Sequence, residues 1–120
     1  MKIRFQADND LRKAIARAIR RRNPQIDFRS ASTTGSEVRE PAAREGRILI
    51  SHDFQTMPAR FRKFTESQRS PGVFLIGQDL PVVQAVESLL LLWEVSKPED
   101  WENRLCLIPS LVTVIVGTAR

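Results

Sequence analysis

The runs RILISHD (47–53) and VFLIGQ (73–78) constrain this chain more than any other feature in it. Each is a short, almost continuously apolar stretch rich in branched residues and bounded by turn formers, which reads as a buried strand. Strands covered on both faces belong to parallel sheets sandwiched between helices, whereas an antiparallel sheet with one wet face would alternate. The rest of the chain supplies the covering helices. KIRFQAD (2–8) alternates with Ile3, Phe5 and Ala7 on one side, and NDLRKAIARAIRRR (9–22) then places Leu11, Ile15, Ala18 and Ile19 at helical spacing until Asn23-Pro24 stops it. QIDFRSA (25–31) is a short strand, and GSEVREPAAREG (35–46) a weak helix that Pro41 breaks or delays and Gly46 closes. ARFRKFTESQ (59–68) is a short helix after Pro58, PVVQAVESLLLLWEV (81–95) a long apolar one, and RLCLIP (104–109) a fifth strand. Alternating strands and helices predict an α/β fold, a three-layer α/β/α sandwich on a mostly parallel five-stranded sheet. Residues 1–109 form the domain; the tail SLVTVIVGTAR (110–120) is an extra edge strand or one lent to a second copy in a homodimer.

A length of 120 residues suits one domain with a core that needs no staples. The single cysteine, Cys106, excludes an internal disulfide framework and paired-cysteine zinc sites, fits a cytoplasmic protein, and reads as a small buried hydrophobe. MKIRFQADND meets acids before any apolar region builds, unlike a signal peptide. The longest apolar runs fall well short of the ~20 residues that span a bilayer, so no membrane association is expected. The net charge of +5 is unevenly spread: residues 1–70 hold 16 Lys and Arg against 8 acids, and residues 71–120 hold 3 against 6. The basic half is either a solvated surface or a footprint for a polyanion such as RNA.

Two strands end in carboxylates, Asp8 after the first and Asp53 after RILISH. If those strands are neighbours, both acids emerge at the carboxyl edge, where open α/β sheets bind ligands, on strand axes about 5 Å apart. Oxygens converging there suit a hard cation, Mg²⁺ or Mn²⁺, and acids that close repel unless a cation or an arginine balances them. Asp10 precedes a helical pattern and reads first as its N-cap. Asp53 has a second reading, bonding the loop at Thr56. His52, the only histidine, lacks a serine or cysteine partner and reads as a packed or hydrogen-bonded ring. Arg20–Arg22 complement the negative end of their helix at the far edge, whereas Arg12, Lys13, Arg60, Arg62 and Lys63 are better placed to hold a phosphate backbone near the acids. Phe61 and Phe64, three residues apart, read as a core stripe before they read as base-stacking rings.

Three chemistries use such an edge. Asp8-Asn9-Asp10 imitates the Asp-x-Asp of haloacid-dehalogenase-like phosphotransferases, but the only lysine past Lys63 to neutralise the phosphoryl group is Lys97, in the surface-like SKPED. A phospho-receiver domain would place a lysine after the fifth strand, where this chain has LIPS. A metal-dependent nuclease needs only the acids and a basic rim.

KIRFQADNDL, AAREGRILISHDFQTMP, SPGVFLIGQDLPVVQAVESLLLLWE and WENRLCLIP together resemble small bacterial PIN-like proteins, relatives of the PIN ribonuclease domains of toxin–antitoxin systems. The resemblance implies a PIN-like sandwich, a divalent metal (Mg²⁺ or Mn²⁺), endoribonuclease activity on RNA and an antitoxin partner. It matches Asp8 to the first-strand metal acid, Asp53 to the acid after GRILISH and Asp10 to a second early acid. The family's middle acid falls at Gly35, with Glu37 the nearest substitute, which implies a weakened metal site and impaired catalysis. The other reading is a non-catalytic PIN-like module that binds protein or nucleic acid.

Overall fold

The computed structural model describes residues 1–30 and 39–108, with side chains described from Ala42 in the second of these segments. Glu37, Gly35 and the 110–120 tail therefore lie outside the described residues. Among the described residues five strands, β1 (Phe5–Ala7), β2 (Phe28–Arg29), β3 (Ile48–Ser51), β4 (Val73–Ile76) and β5 (Leu105–Ile108), alternate with four α-helices, α1 (Lys13–Arg22), α2 (Arg39–Arg44), α3 (Met57–Thr65) and α4 (Val82–Val95). Among the described residues the sheet is wholly parallel, in the order β2-β1-β3-β4-β5. The expected α/β architecture is what the chain adopts.

Alternation along the strands sorts the helices into layers. Phe5 and Ala7, Ile48 and Ile50, and Phe74 and Ile76 point to one face, where they meet Ile15 and Ile19 of α1 and Ala85, Leu89 and Leu92 of α4 in a continuous core. Each of the Phe, Ile and Leu side chains contributes about 1.5–3 kcal/mol when fully buried. Leu49, Val73 and Leu75 point to the other face, under Met57 and Phe61 of α3. Phe61 is thus a core residue, as its spacing implied.

The element ends shift from the pattern for local reasons. α1 starts at Lys13 rather than Asn9, because residues 9–11 form a turn in which the Leu11 N–H bonds the Asp8 carbonyl at 3.1 Å. α3 starts two residues early, with Pro58 in the first turn, where its missing N–H costs nothing. α2, described from Arg39, closes at Gly46, whose φ of +70° a β-carbon would resist. A short 3₁₀ turn at Pro98–Asp100, not anticipated, leads into β5. No helix among the described residues is long and apolar enough to cross a membrane.

Candidate functional site at the carboxyl edge

β1 and β3 are parallel neighbours, with Ala7 level with Ile50. Strands on the two sides of this pair run in opposite sequence directions, so the crevice between β1 and β3 is the switch point of the sheet, where ligands of open α/β folds bind. The Asp8 N–H donates to the Ile50 carbonyl at 2.8 Å and holds the two strand ends together.

The side chains then gather on one hydroxyl. Ser51 is fully buried, and its Oγ lies 2.8 Å from Asp8 Oδ2 and 3.2 Å from Asp10 Oδ1. Ser51 Oγ also accepts the Asp53 N–H at 3.0 Å, and Asp10 Oδ1 lies 3.3 Å from the His52 N–H that donates to it. A hydroxyl has one proton, so it satisfies one of the two carboxylates at a time. Asp10 is therefore not the N-cap of α1. That position is Arg12, and it makes no side-chain cap. The turn at 9–10 brings the Asp10 carboxylate back onto the end of β3 instead.

Asp53 reaches the same edge but faces elsewhere. Its carboxylate accepts the N–H groups of Gln55 at 3.1 Å and Thr56 at 2.8 Å, and the Thr56 hydroxyl. The Thr56 hydroxyl, then its backbone N–H, hold the Asp53 carboxyl below the usual carboxylate range. The bond to the loop at Thr56, one of the roles open to Asp53, is formed.

His52 is buried, with Nδ1 2.8 Å from the Ile76 carbonyl and Nε2 3.2 Å from the Arg12 N–H. An N–H can only donate and a carbonyl can only accept, so these partners select the neutral tautomer with hydrogen on Nδ1. The ring clasps the starts of the loops after β1, β3 and β4 and has no nitrogen to spare. Arg12 is likewise engaged, its guanidinium donating to the Leu80 carbonyl at 2.5 Å. Arg60, Arg62 and Lys63 are exposed on α3, and Lys13 is exposed on the first turn of α1.

Among the described residues no arginine or lysine pairs with Asp8 or Asp10. Nor, among the described residues, does a group of three or more His, Cys, Asp and Glu side chains come together as a metal cage. Two carboxylates and a hydroxyl remain, an all-oxygen set that suits the kind of Mg²⁺ site built from one or two carboxylates and several waters. Softer metals are a poor match, because the histidine is fully engaged and Cys106 lies in β5, half-buried, where burial pushes its thiol up.

Ser51 and the exposed Phe54 escaped the sequence reading. The serine was legible only as the last residue of a buried strand. Its neighbourhood to Asp8 follows from strand order, which the pattern does not contain. No protein-family model, no curated protein and no solved structure matches the chain.

Proposed function

We propose that the carboxyl edge is the site of a metal-dependent endoribonuclease of the PIN-like type. The observation that carries the reading is the convergence of Asp8 and Asp10 on the Ser51 hydroxyl at the switch point, with no cation from the described residues to balance them. Asp8 and Asp10 would hold Mg²⁺ or Mn²⁺. A divalent ion supplies Lewis acidity toward a phosphodiester and its attacking water. Ser51 stands between the two carboxylates and donates to one of them at a time, and its buried hydroxyl accepts the Asp53 N–H, which steadies the start of the following loop. His52 orients the loop after β1 through the Arg12 N–H and takes no proton in this scheme.

A second reading has its own observation. Asp53 is closed on Thr56, so among the described residues the site rests on Asp8 and Asp10. The same fold would then serve as a non-catalytic PIN-like module for an antitoxin-like protein or RNA in the cytoplasm.

One experiment separates the two. Labelled RNA is incubated with wild type, Asp8→Asn and Asp10→Asn in Mn²⁺ and in EDTA. Cleavage by wild type that needs Mn²⁺ and is lost in both variants supports the nuclease. Equal rates in all three proteins, or no cleavage of any RNA, sinks it and leaves the module.

A further inference from the structure

Beside Asp8, on the side of α1 that faces β2, lies an open groove of about 260 Å³. Its cationic lining is Lys13, Arg17 and Arg20, and it ends at Asp8 and Ser30. We propose that this groove holds the backbone of the RNA strand, with Lys13, Arg17 and Arg20 on successive phosphates leading to the Asp8–Asp10 pair. The inference rests on the nuclease reading for the identity of the polyanion, and on the groove alone for its path.

Helical geometry puts the three cations in one row. Residues 13, 17 and 20 stand at i, i+4 and i+7, on one face of α1. At 1.5 Å per residue they span about 10 Å, room for a short run of phosphates. The row carries a cost in the free protein, because like charges at i, i+3 and i, i+4 repel and α1 contains no acid to relieve them. Neither Lys13 nor Arg17 has an ion-pair partner among the described residues, whereas Arg22 pairs with Glu87, Arg29 with Glu45 and Arg69 with Glu102. Arg20 is already placed: its guanidinium donates to the Phe28 carbonyl at 3.0 Å and to Ser30 Oγ. A side chain held before binding loses less entropy on binding.

The cations of α3 do not offer the same arrangement. Arg60 lines a small recess with Met57, Phe61 and Phe64 that contains no carboxylate, and it lies on the other layer of the sandwich. The α1 groove is continuous with Asp8, so a strand lying in it delivers a phosphate to the acids. The exposed Phe54, one residue past Asp53, offers a ring to a base.

The test is binding, measured without turnover. Fluorescence anisotropy of a labelled single-stranded RNA oligonucleotide is followed in EDTA over a series of salt concentrations. Lys13→Gln combined with Arg17→Gln is compared with Arg60→Gln combined with Lys63→Gln. All four positions are exposed, and circular dichroism checks that each variant is folded. The α1 pair is expected to weaken binding at least about tenfold, and to flatten the slope of log K against log salt by about 1.4, or about 0.7 for each phosphate no longer neutralised. The α3 pair is expected to change affinity less than about twofold. The proposal is overturned if the α3 pair carries the loss, if neither pair changes the slope, or if wild type binds no RNA. Wild type that binds through the α1 pair yet never cleaves in Mn²⁺ leaves the groove standing and removes the nuclease.

Discussion

The two edges of the sheet handle charge in opposite ways. At the amino edge, where β2 and β3 begin, Arg47 is buried and donates to Asp27 at 2.7 and 3.2 Å, to Glu45 at 3.0 Å and to the Phe5 carbonyl at 3.3 Å. Arg29 adds a second cation on Glu45. Both of these carboxylates have a guanidinium. At the carboxyl edge Asp8 and Asp10 share a neutral hydroxyl and backbone N–H groups, and none of the described cations reaches them. The fold shows at one end how it neutralises acids and leaves the other end undone. That difference is what the proposed metal site requires, since an ion between Asp8 and Asp10 would do there what the guanidinium of Arg47 does at the amino edge.

The largest effect that tests this contrast is on turnover. Asp8→Asn or Asp10→Asn should lower Mn²⁺-dependent RNA cleavage by about a hundredfold or more, the scale on which charge-stabilising groups act at reacting centres. Because the amide oxygen can still accept from Ser51 and His52, the melting temperature should hold or rise as the repulsion is removed. A fall of several degrees would mean that the acids serve the fold, and the contrast would fail.

Next comes the amino edge. Arg47→Met keeps much of the volume and removes the charge-assisted bonds, and should cost about 2 kcal/mol by denaturant titration. The cost is moderated because Asp27 and Glu45 are partly exposed and rehydrate. Cleavage by this variant below its melting range should match wild type.

How much of this was visible in the chain depends on the residue. The apolar continuity of Ile48–Ile50 and Val73–Ile76 was enough for a parallel sheet, since only a strand covered on both faces tolerates it. That Asp8 and Asp53 leave one edge followed from the same pattern. What the carboxylates do there did not, because the direction of a side chain just past a strand is set by the next turn. The turn at 9–10 sends Asp10 to Ser51, and the loop at 55–56 keeps Asp53 for itself. Arg20 shows the same limit. The helix carries it toward the far edge, as the helical rise dictates, yet its long side chain climbs back to Ser30. The ion-pair network of Arg47 was invisible for another reason: a buried arginine breaks the hydrophobic pattern, and its partners come from separate loops.

The amino edge also predicts a pH dependence. Asp27 is held below the usual carboxylate range first by its hydrogen bond from Arg47, and Glu45 first by that from Arg29 and then by that from Arg47. A depressed folded value means that the unfolded chain binds protons first as the pH falls. The stabilisation is then present above the unfolded carboxylate range, about pH 4, and is lost as the pH drops through the lowered folded values. Urea midpoints taken from about pH 6 downward should fall steeply below about pH 4 for wild type and less steeply for Arg47→Met. Parallel curves would show that this network does not govern acid unfolding.

The smallest expected effect bears on the acid that stands between the two regimes. Asp53 belongs to the carboxyl edge but is satisfied in its own way, by donors of its own loop. Thr56→Val removes the hydroxyl and keeps the backbone N–H, so it should cost about 0.5–1 kcal/mol and raise the Asp53 carboxyl back toward its ordinary range. It also frees a lone pair on the Asp53 carboxylate. If Asp53 is a third ligand held in reserve, Thr56→Val should tighten Mn²⁺ binding, measured by titration calorimetry. If Asp8 and Asp10 act alone, the Mn²⁺ affinity should stay at the wild-type value while stability falls. The second result is the one expected, because the substitution leaves in place the Gln55 and Thr56 backbone N–H groups that donate to the Asp53 carboxylate at 3.1 and 2.8 Å.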